Sequence, residues 1–241
     1  LLLADRASTV RIEGGTHVPW SPVFHYLAEI FLPFLRQLGA EVEASLERWG
    51  WYPAGGGACT LRIKPRRGLR PLRITQRGRL QRLTLTLGLA GLPLHIVERE
   101  EAYIRARLGH DCERLFVPVP SPGQGNVLFL KGEYEESLAG FSALGKRGKP
   151  AEQVAEELCR DWLNFESSGS ALDKHLADQL LLYLALAGGE SFFTTEEITS
   201  HLETNLALIE SFLPVRFKVD HSARAISVAG AAFAGWQGEL I

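Results

Sequence analysis

The order of periodicities is the same at the two ends of this chain, and that repetition narrows the fold more than any single motif does. Near the start, Val10 to Glu13 alternates as a short strand ending at Gly14-Gly15. Ser21 to Leu38 carries Phe24, Leu27, Phe31 and Phe34 at helical spacing, with Ser21 as the expected N-cap, Pro22 at the first helical position and Gly39 as the stop. Glu41 to Glu47 and Ala58 to Ile63 alternate again as strands. Near the end, a strand around Ser191 to Thr194, a helix from Ser200, and strands at Val215 to Val219 and Ala225 to Val228 repeat that order. Each helix is apolar along one stripe only, so it packs on one face of a sheet. The expectation is an α/β (α+β) fold with two βαββ-type units.

The segment between them has another order. Strands are expected at Leu83 to Leu89, Arg114 to Val119, Asn126 to Lys131 and Ala139 to Leu144, with helices at Val97 to Leu108 and Pro150 to Phe165. It reads as a smaller inserted α/β domain over residues 76–170, which divides a larger domain into 1–75 and 171–241. The Gly-, Ser- and charge-rich joins at 66–78 and 167–170 are expected hinges. With 241 residues and 46% hydrophobic content, the chain can bury a substantial core. A formal net charge of −2 argues against a body held on nucleic acid by bulk electrostatics, so any such contact is local. No apolar run approaches the length of a membrane span. Cys59, Cys112 and Cys159 are odd in number and lack metal-ligand spacing, as expected of buried thiols in a reducing compartment such as the cytoplasm. The chain contains no methionine and opens Leu-Leu-Leu-Ala-Asp, which suggests a fragment or a non-standard start.

Two helices hold the candidate chemistry. Ser200 and Glu203 are spaced as a capping box; Leu202, Leu206, Ile209 and Leu213 form a buried stripe, and Pro214 ends it. His201 then sits in the first turn, where the positive end of the helix favours anions and a neutral imidazole. Such a histidine is either a surface or capping residue or a nucleophile beside bound phosphate. Leu172 to Gly188 reads as the other helix, with His175, Asp178 and Gln179 at i, i+3 and i+4 on one polar face. That face is either solvated, with a local His to Asp bond, or one wall of a pocket.

His201-Leu-Glu-Thr-Asn followed by Phe212-Leu-Pro-Val-Arg-Phe resembles the C-terminal signature of the RNA 3'-terminal phosphate cyclases. Gly14-Gly15-Thr16, Tyr52-Pro53-Ala54-Gly55-Gly56-Gly57 and Leu176-Ala177-Asp178-Gln179 are similar to that family's motifs in the same order, and the resemblance runs from about Ala4 to about Val228. It implies ATP-dependent conversion of an RNA 3'-phosphate to a 2',3'-cyclic phosphate, a ligase-class reaction. His201 would take AMP from ATP with a divalent cation, Mg or Mn, on the triphosphate; AMP would pass to the RNA 3'-phosphate, and the 2'-OH would displace it. Asp178 and Gln179 match positions lining the nucleotide site, and His175 stands where other members place an aromatic on the adenine. Pro22 and Tyr26 match an apolar wall on the other side of the base, or are helix-start and packing residues.

The resemblance also implies an RNA partner with a 3'-phosphate end, a possible homodimer, and three repeat units, of which this chain carries two. On that reading it is an N-terminally truncated member, since a Glu- and Gly-rich motif of the first repeat has no equivalent here. A catalytically silent RNA-processing scaffold, an inactive fragment of the enzyme, and the sibling enolpyruvyl transferases stand as alternatives. Tyr52 to Gly57 lacks the Lys-Ser/Thr ending of a P-loop and reads as a glycine-rich hairpin that helps shape the cleft. Nine Arg or Lys fall between Arg62 and Arg82, either a site for RNA phosphates or exposed basic strands and loops. His17, His25, His95, His110 and His221 show no metal-ligand pattern.

Overall fold

The computed structural model describes residues 1–232 apart from Arg67, His110 and Pro122. One arginine of the basic run, the histidine at 110 and the end of segment 171–241 thus lie outside the described residues. The first unit is β1 (Ser8–Gly14), a helical segment, β2 (Glu41–Arg48) and β3 (Gly57–Lys64), with sheet order β1-β3-β2, all antiparallel. The last unit is β9 (Gly188–Thr194), α6 (Ser200–Phe212), β10 (Phe217–Asp220) and β11 (Ala225–Ala231), and its third strand again lies between the other two. The expected recurrence is therefore one of strand pairing as well as of element order. A short strand β4 (Arg73–Ile74) adds in parallel to β9.

The first helical segment starts later than the sequence suggests and is not uniform. It runs through α1 (Phe24–Tyr26), a π turn (Leu27–Phe31) and α2 (Leu32–Gln37). Ser21 does not cap it and Pro22 precedes it, because the Thr16 carbonyl accepts from Phe24 N at 3.0 Å and anchors the helix start itself. The wide turn falls just before Pro33, which has no N–H to give to the preceding turn. Two other boundaries also differ. Asp173 caps α5 (Lys174–Leu186), so Leu172 lies outside it, in a bridge to Thr195. Thr199 rather than Ser200 caps α6, its hydroxyl accepting from Leu202 N at 3.1 Å.

The intervening sheet has order β6-β5-β7-β8, built from β5 (Leu80–Ala90), β6 (Glu113–Pro118), β7 (Gly125–Tyr134) and β8 (Leu138–Leu144). The crossover α3 (His95–Leu108) joins the parallel pair β5 and β6. Alternate residues of β7 serve two cores. Leu128 and Leu130 join Leu83, Leu85 and Leu87 beneath α3 and α4 (Ala151–Ser168), around Trp162 and Phe165. Val127 and Phe129 face the other way, into the core formed with α1, α2, α5 and the last unit. On that second face the glycines make room for indoles. A Cβ on Gly88 would come within 2.8 Å of Trp49, and one on Gly125 within 2.2 Å of Trp51. The β2–β3 hairpin thereby docks on the intervening sheet.

The two joins expected as hinges meet at Arg77. Its guanidinium donates to the carbonyls of Phe165 (3.2 Å), Ser170 (3.0 Å) and Glu166 (2.7 Å) and lies 4.7 Å from the Phe165 ring centroid. With its side chain only 11% exposed, it ties the outgoing and returning chain together. Arg77→Met keeps much of the apolar stem and removes the three donors, so it is expected to lower stability by about 2–4 kcal/mol. Urea unfolding measures this, and an unchanged midpoint would show that the clamp contributes nothing.

Candidate functional site

A cleft of about 890 Å³ opens between the first helical segment, β8, α5 and the start of α6. Pro22, Tyr26, His175, Asp178, Gln179 and His201 all line it. They come from three separated stretches, so their meeting is a product of the fold. The Tyr52 to Gly57 hairpin is not among the lining residues. Gly57 serves backbone packing, since a Cβ there would lie 2.7 Å from Gly50 N and 2.8 Å from Gly14 O, while Gly55 and Gly56 supply the positive φ of the turn. What it supports is the preceding turn, where Thr16 N and His17 N both donate to Gly50 O at 3.0 Å.

His201 projects from the first turn of α6 with its side chain 76% exposed, and its Nδ1 lies 2.9 Å from Asp178 Oδ2. Asn205 Nδ2 donates to the other Asp178 oxygen at 2.7 Å. A carboxylate oxygen accepts from an N–H, so in the neutral ring this contact favours the proton on Nδ1 and makes Nε2 the nitrogen that bears the lone pair. Asp178 stands on α5 and Asn205 one turn beyond His201 on α6, both rigid elements packed together. Asn205 was absent from the expected site, although its i+4 spacing from His201 puts both on one face.

Behind these residues a buried hydrogen bond fixes the distance between two walls. Tyr26 Oη donates to Asp173 Oδ1 at 2.8 Å, and the same oxygen accepts from His175 N (3.0 Å) and Leu176 N (2.9 Å) as the cap of α5. Gly140 permits the approach, because a Cβ there would come within 2.5 Å of Ile30 and 3.1 Å of Tyr26. Tyr26 is 4% exposed, so most of its ring is core and only its edge reaches the cleft. Pro22 is exposed at the rim. Burial pushes the Asp173 carboxyl up to about 6, against the lowering effect of its hydrogen bonds from Leu176 N, Tyr26 and His175 N. Its Oδ2 is buried without a partner. The His175 ring is open to the cleft but crowded by its walls, and that desolvation, followed by Lys174 beside it, lowers its pKa towards a neutral ring.

Lys174 also lines the cleft and is paired with Glu196 (3.5 Å) and Glu197 (3.7 Å). Among the described residues no three His, Cys, Asp or Glu converge as a metal site. The basic run is largely balanced elsewhere. Lys64 and Arg66 meet Glu41, Arg73 meets Glu190, Arg77 meets Glu166, Arg79 meets Glu135 and Arg82 meets Glu133. His17 and His25 form a shielded pair, Nε2 to Nδ1 at 3.0 Å, with His17 stacked on Trp49 and held by burial, and then by His25, down at about 3. No helix among the described residues is long and apolar enough to cross a membrane.

The model of the RNA 3'-terminal phosphate cyclase family matches residues 1–219. The chain belongs to that family. It is 47% identical over 218 residues to an RNA 3'-terminal phosphate cyclase of Methylococcus capsulatus, covering 88% of this chain and 60% of the relative. It is 44% identical over 218 residues to one of Pseudomonas aeruginosa, covering 90% and 63%. A relative of that name from Nostoc punctiforme is 37% identical over 237 residues, covering 95% and 66%. The chain thus spans between three-fifths and two-thirds of the length of these relatives.

The raised Asp173 pKa gives a pH-dependent stability of defined sign. The folded state binds the proton more tightly than the unfolded chain, so this group's contribution is present below about pH 4 and is lost as the pH rises through about 6. Asp173→Asn keeps an oxygen for Tyr26 and the helix cap but does not titrate. Wild-type stability relative to this variant should therefore rise by about 2 kcal/mol between pH 7 and pH 4. Urea unfolding of both proteins across that range measures it, and a difference independent of pH would refute the assignment.

Proposed function

We propose that the cleft carries out nucleotidyl transfer to an RNA end, with His201 accepting AMP from ATP and passing it to an RNA 3'-phosphate, which then closes to a 2',3'-cyclic phosphate. The observation that carries this reading is the His201–Asp178–Asn205 arrangement inside a cleft lined by all the residues expected of a nucleotide site, in a chain of the cyclase family. His201 Nε2 attacks the α-phosphorus, and the bond to the bridging oxygen of the β-phosphate breaks to release pyrophosphate. The Nδ1 proton stays on the Asp178 hydrogen bond, which offsets the positive charge that builds on the ring.

In the second step a 3'-phosphate oxygen attacks the same phosphorus and the imidazole leaves. In the third, the neighbouring 2'-oxygen attacks the 3'-phosphorus as its proton departs, and AMP is expelled. The requirement for that hydroxyl selects RNA over DNA. His175 and Pro22 offer flat surfaces for the adenine, and Gln179 a side chain with both donor and acceptor groups. The amino end of α6 opens on the cleft at Thr199 and His201 and favours the phosphates.

Lys174 is already engaged by two glutamates, so neutralising a triphosphate calls for a divalent cation. The described residues do not form a resident site for one. Coordination mainly by the phosphates, with at most one or two carboxylates, suits the donor set.

Transfer of label from α-labelled ATP to the protein tests the reading. Acid-labile label is expected on the wild-type chain and none on His201→Asn. Asp178→Asn should label on the order of 10²–10⁴-fold more slowly, because an amide can turn its NH₂ towards the imidazole and stabilise the other tautomer. Label that survives in His201→Asn would exclude His201 as the nucleophile. No label on any form would favour an RNA-processing scaffold or an inactive fragment of the enzyme.

A further inference from the structure

Trp20 stands apart from every other tryptophan described. It is 98% exposed, at φ 63, in the segment Val18 to Pro22 that forms one rim of the cleft. Trp51 and Trp162 are buried at 3% and 0%, and Trp49 packs on His17 and Trp51. Trp20 takes part in none of the ring pairs found among the described residues. A bulky residue with positive φ is uncommon and persists where the surroundings enforce it. Here both ends of the segment are held. Thr16 N, His17 N and the Thr16 side chain are bound to Gly50, the His17 ring is stacked on Trp49, and the Thr16 carbonyl holds Phe24 N. Between those anchors the indole is presented bare to solvent at the cleft mouth.

We infer that Trp20 is the stacking platform for the terminal nucleobase of the RNA whose 3'-phosphate enters the cleft. This rests on the nucleotidyl-transfer reading above. If His201 hands AMP to the 3'-phosphate, the nucleoside bearing that phosphate lies about one nucleoside length further out, at the mouth. The surfaces suited to adenine are His175 on α5 and Pro22, which faces the cleft from the same rim as Trp20, whereas a nearly fully exposed ring suits a base at the point where the polymer leaves. An indole face accepts any base, so the contact reads the presence of a base and not its identity. It also supplies a grip that the basic run does not, since at least six of its nine cations are already paired with carboxylates.

The test compares binding of two short oligoribonucleotides by fluorescence anisotropy, one with an ordinary 3'-terminal nucleotide and one with an abasic 3'-terminal ribose, each ending in a 3'-phosphate. Trp20→Ala removes an exposed side chain and is expected to bind the first about tenfold more weakly than wild type and the second equally well, with Trp20→Tyr restoring most of the loss. Equal binding of both oligonucleotides by wild type and Trp20→Ala overturns the inference, as does an equal loss on both. A Trp20→Ala protein that loses labelling by ATP in step with RNA binding places the ring on the adenine and overturns it too. Failure of the underlying reading looks different: wild type itself would then take no label from ATP, whether or not it binds the oligonucleotides.

Discussion

The hydrogen bond between Tyr26 and Asp173 is the constraint on which the cleft depends. It joins residues 147 apart in sequence, one on the first helical segment and one at the cap of α5, with both side chains removed from water. A buried phenol and a buried carboxyl would each be costly alone, so the pair strongly disfavours any arrangement that separates them. Because Asp173 Oδ1 also receives two backbone N–H groups, the bond sets the axial position of α5 as well as its distance from Tyr26. His175 and Asp178 are thereby placed relative to Pro22 before any ligand arrives.

Fixing α5 in turn fixes α6. The two helices pack together, and Asp178 reaches across to the ring of His201 and the amide of Asn205. A loop histidine would sample many orientations, but this one has its tautomer and much of its heading determined by a carboxylate on a neighbouring rigid element. The result is an exposed imidazole with an oriented lone pair, a combination that side-chain exposure alone would make improbable.

Much of this was legible in the sequence, for reasons that can be stated. The two βαββ-type units follow from periodicity, because each helix had one apolar stripe and each strand alternated. The six expected cleft residues meet as the ordered motifs implied, although their roles in binding and catalysis are matters for experiment. What could not be read depended on contacts distant in sequence. Ser21 looked like a cap, but Thr16 anchors that helix from the preceding turn. Residues 66–78 looked like a hinge because composition does not reveal that Arg77 finds three carbonyls on the returning chain. Tyr52 to Gly57 read as a glycine-rich hairpin that helps shape the cleft, whereas it lies outside the cleft lining and its Gly57 is required by the close approach of Gly14 and Gly50. The exposure of Trp20 left no trace in its neighbours' types.

The two-sided strand β7 has a consequence for assembly. Its partners β5 and β8 and the helices over them come from the intervening segment, so that sheet closes through comparatively local contacts. The other core draws on residues from Val23 to Val228 and must wait until nearly the whole chain is present. Closing a loop carries an entropic cost that rises with the logarithm of its length. The intervening segment lowers it by bringing the ends of its own hundred residues together at Arg77 and by offering Val127 and Phe129 as an apolar surface on which the two halves of the repeat core can gather. An insertion that interrupts the larger fold in sequence thus supplies, through Val127 and Phe129, part of that fold's own core.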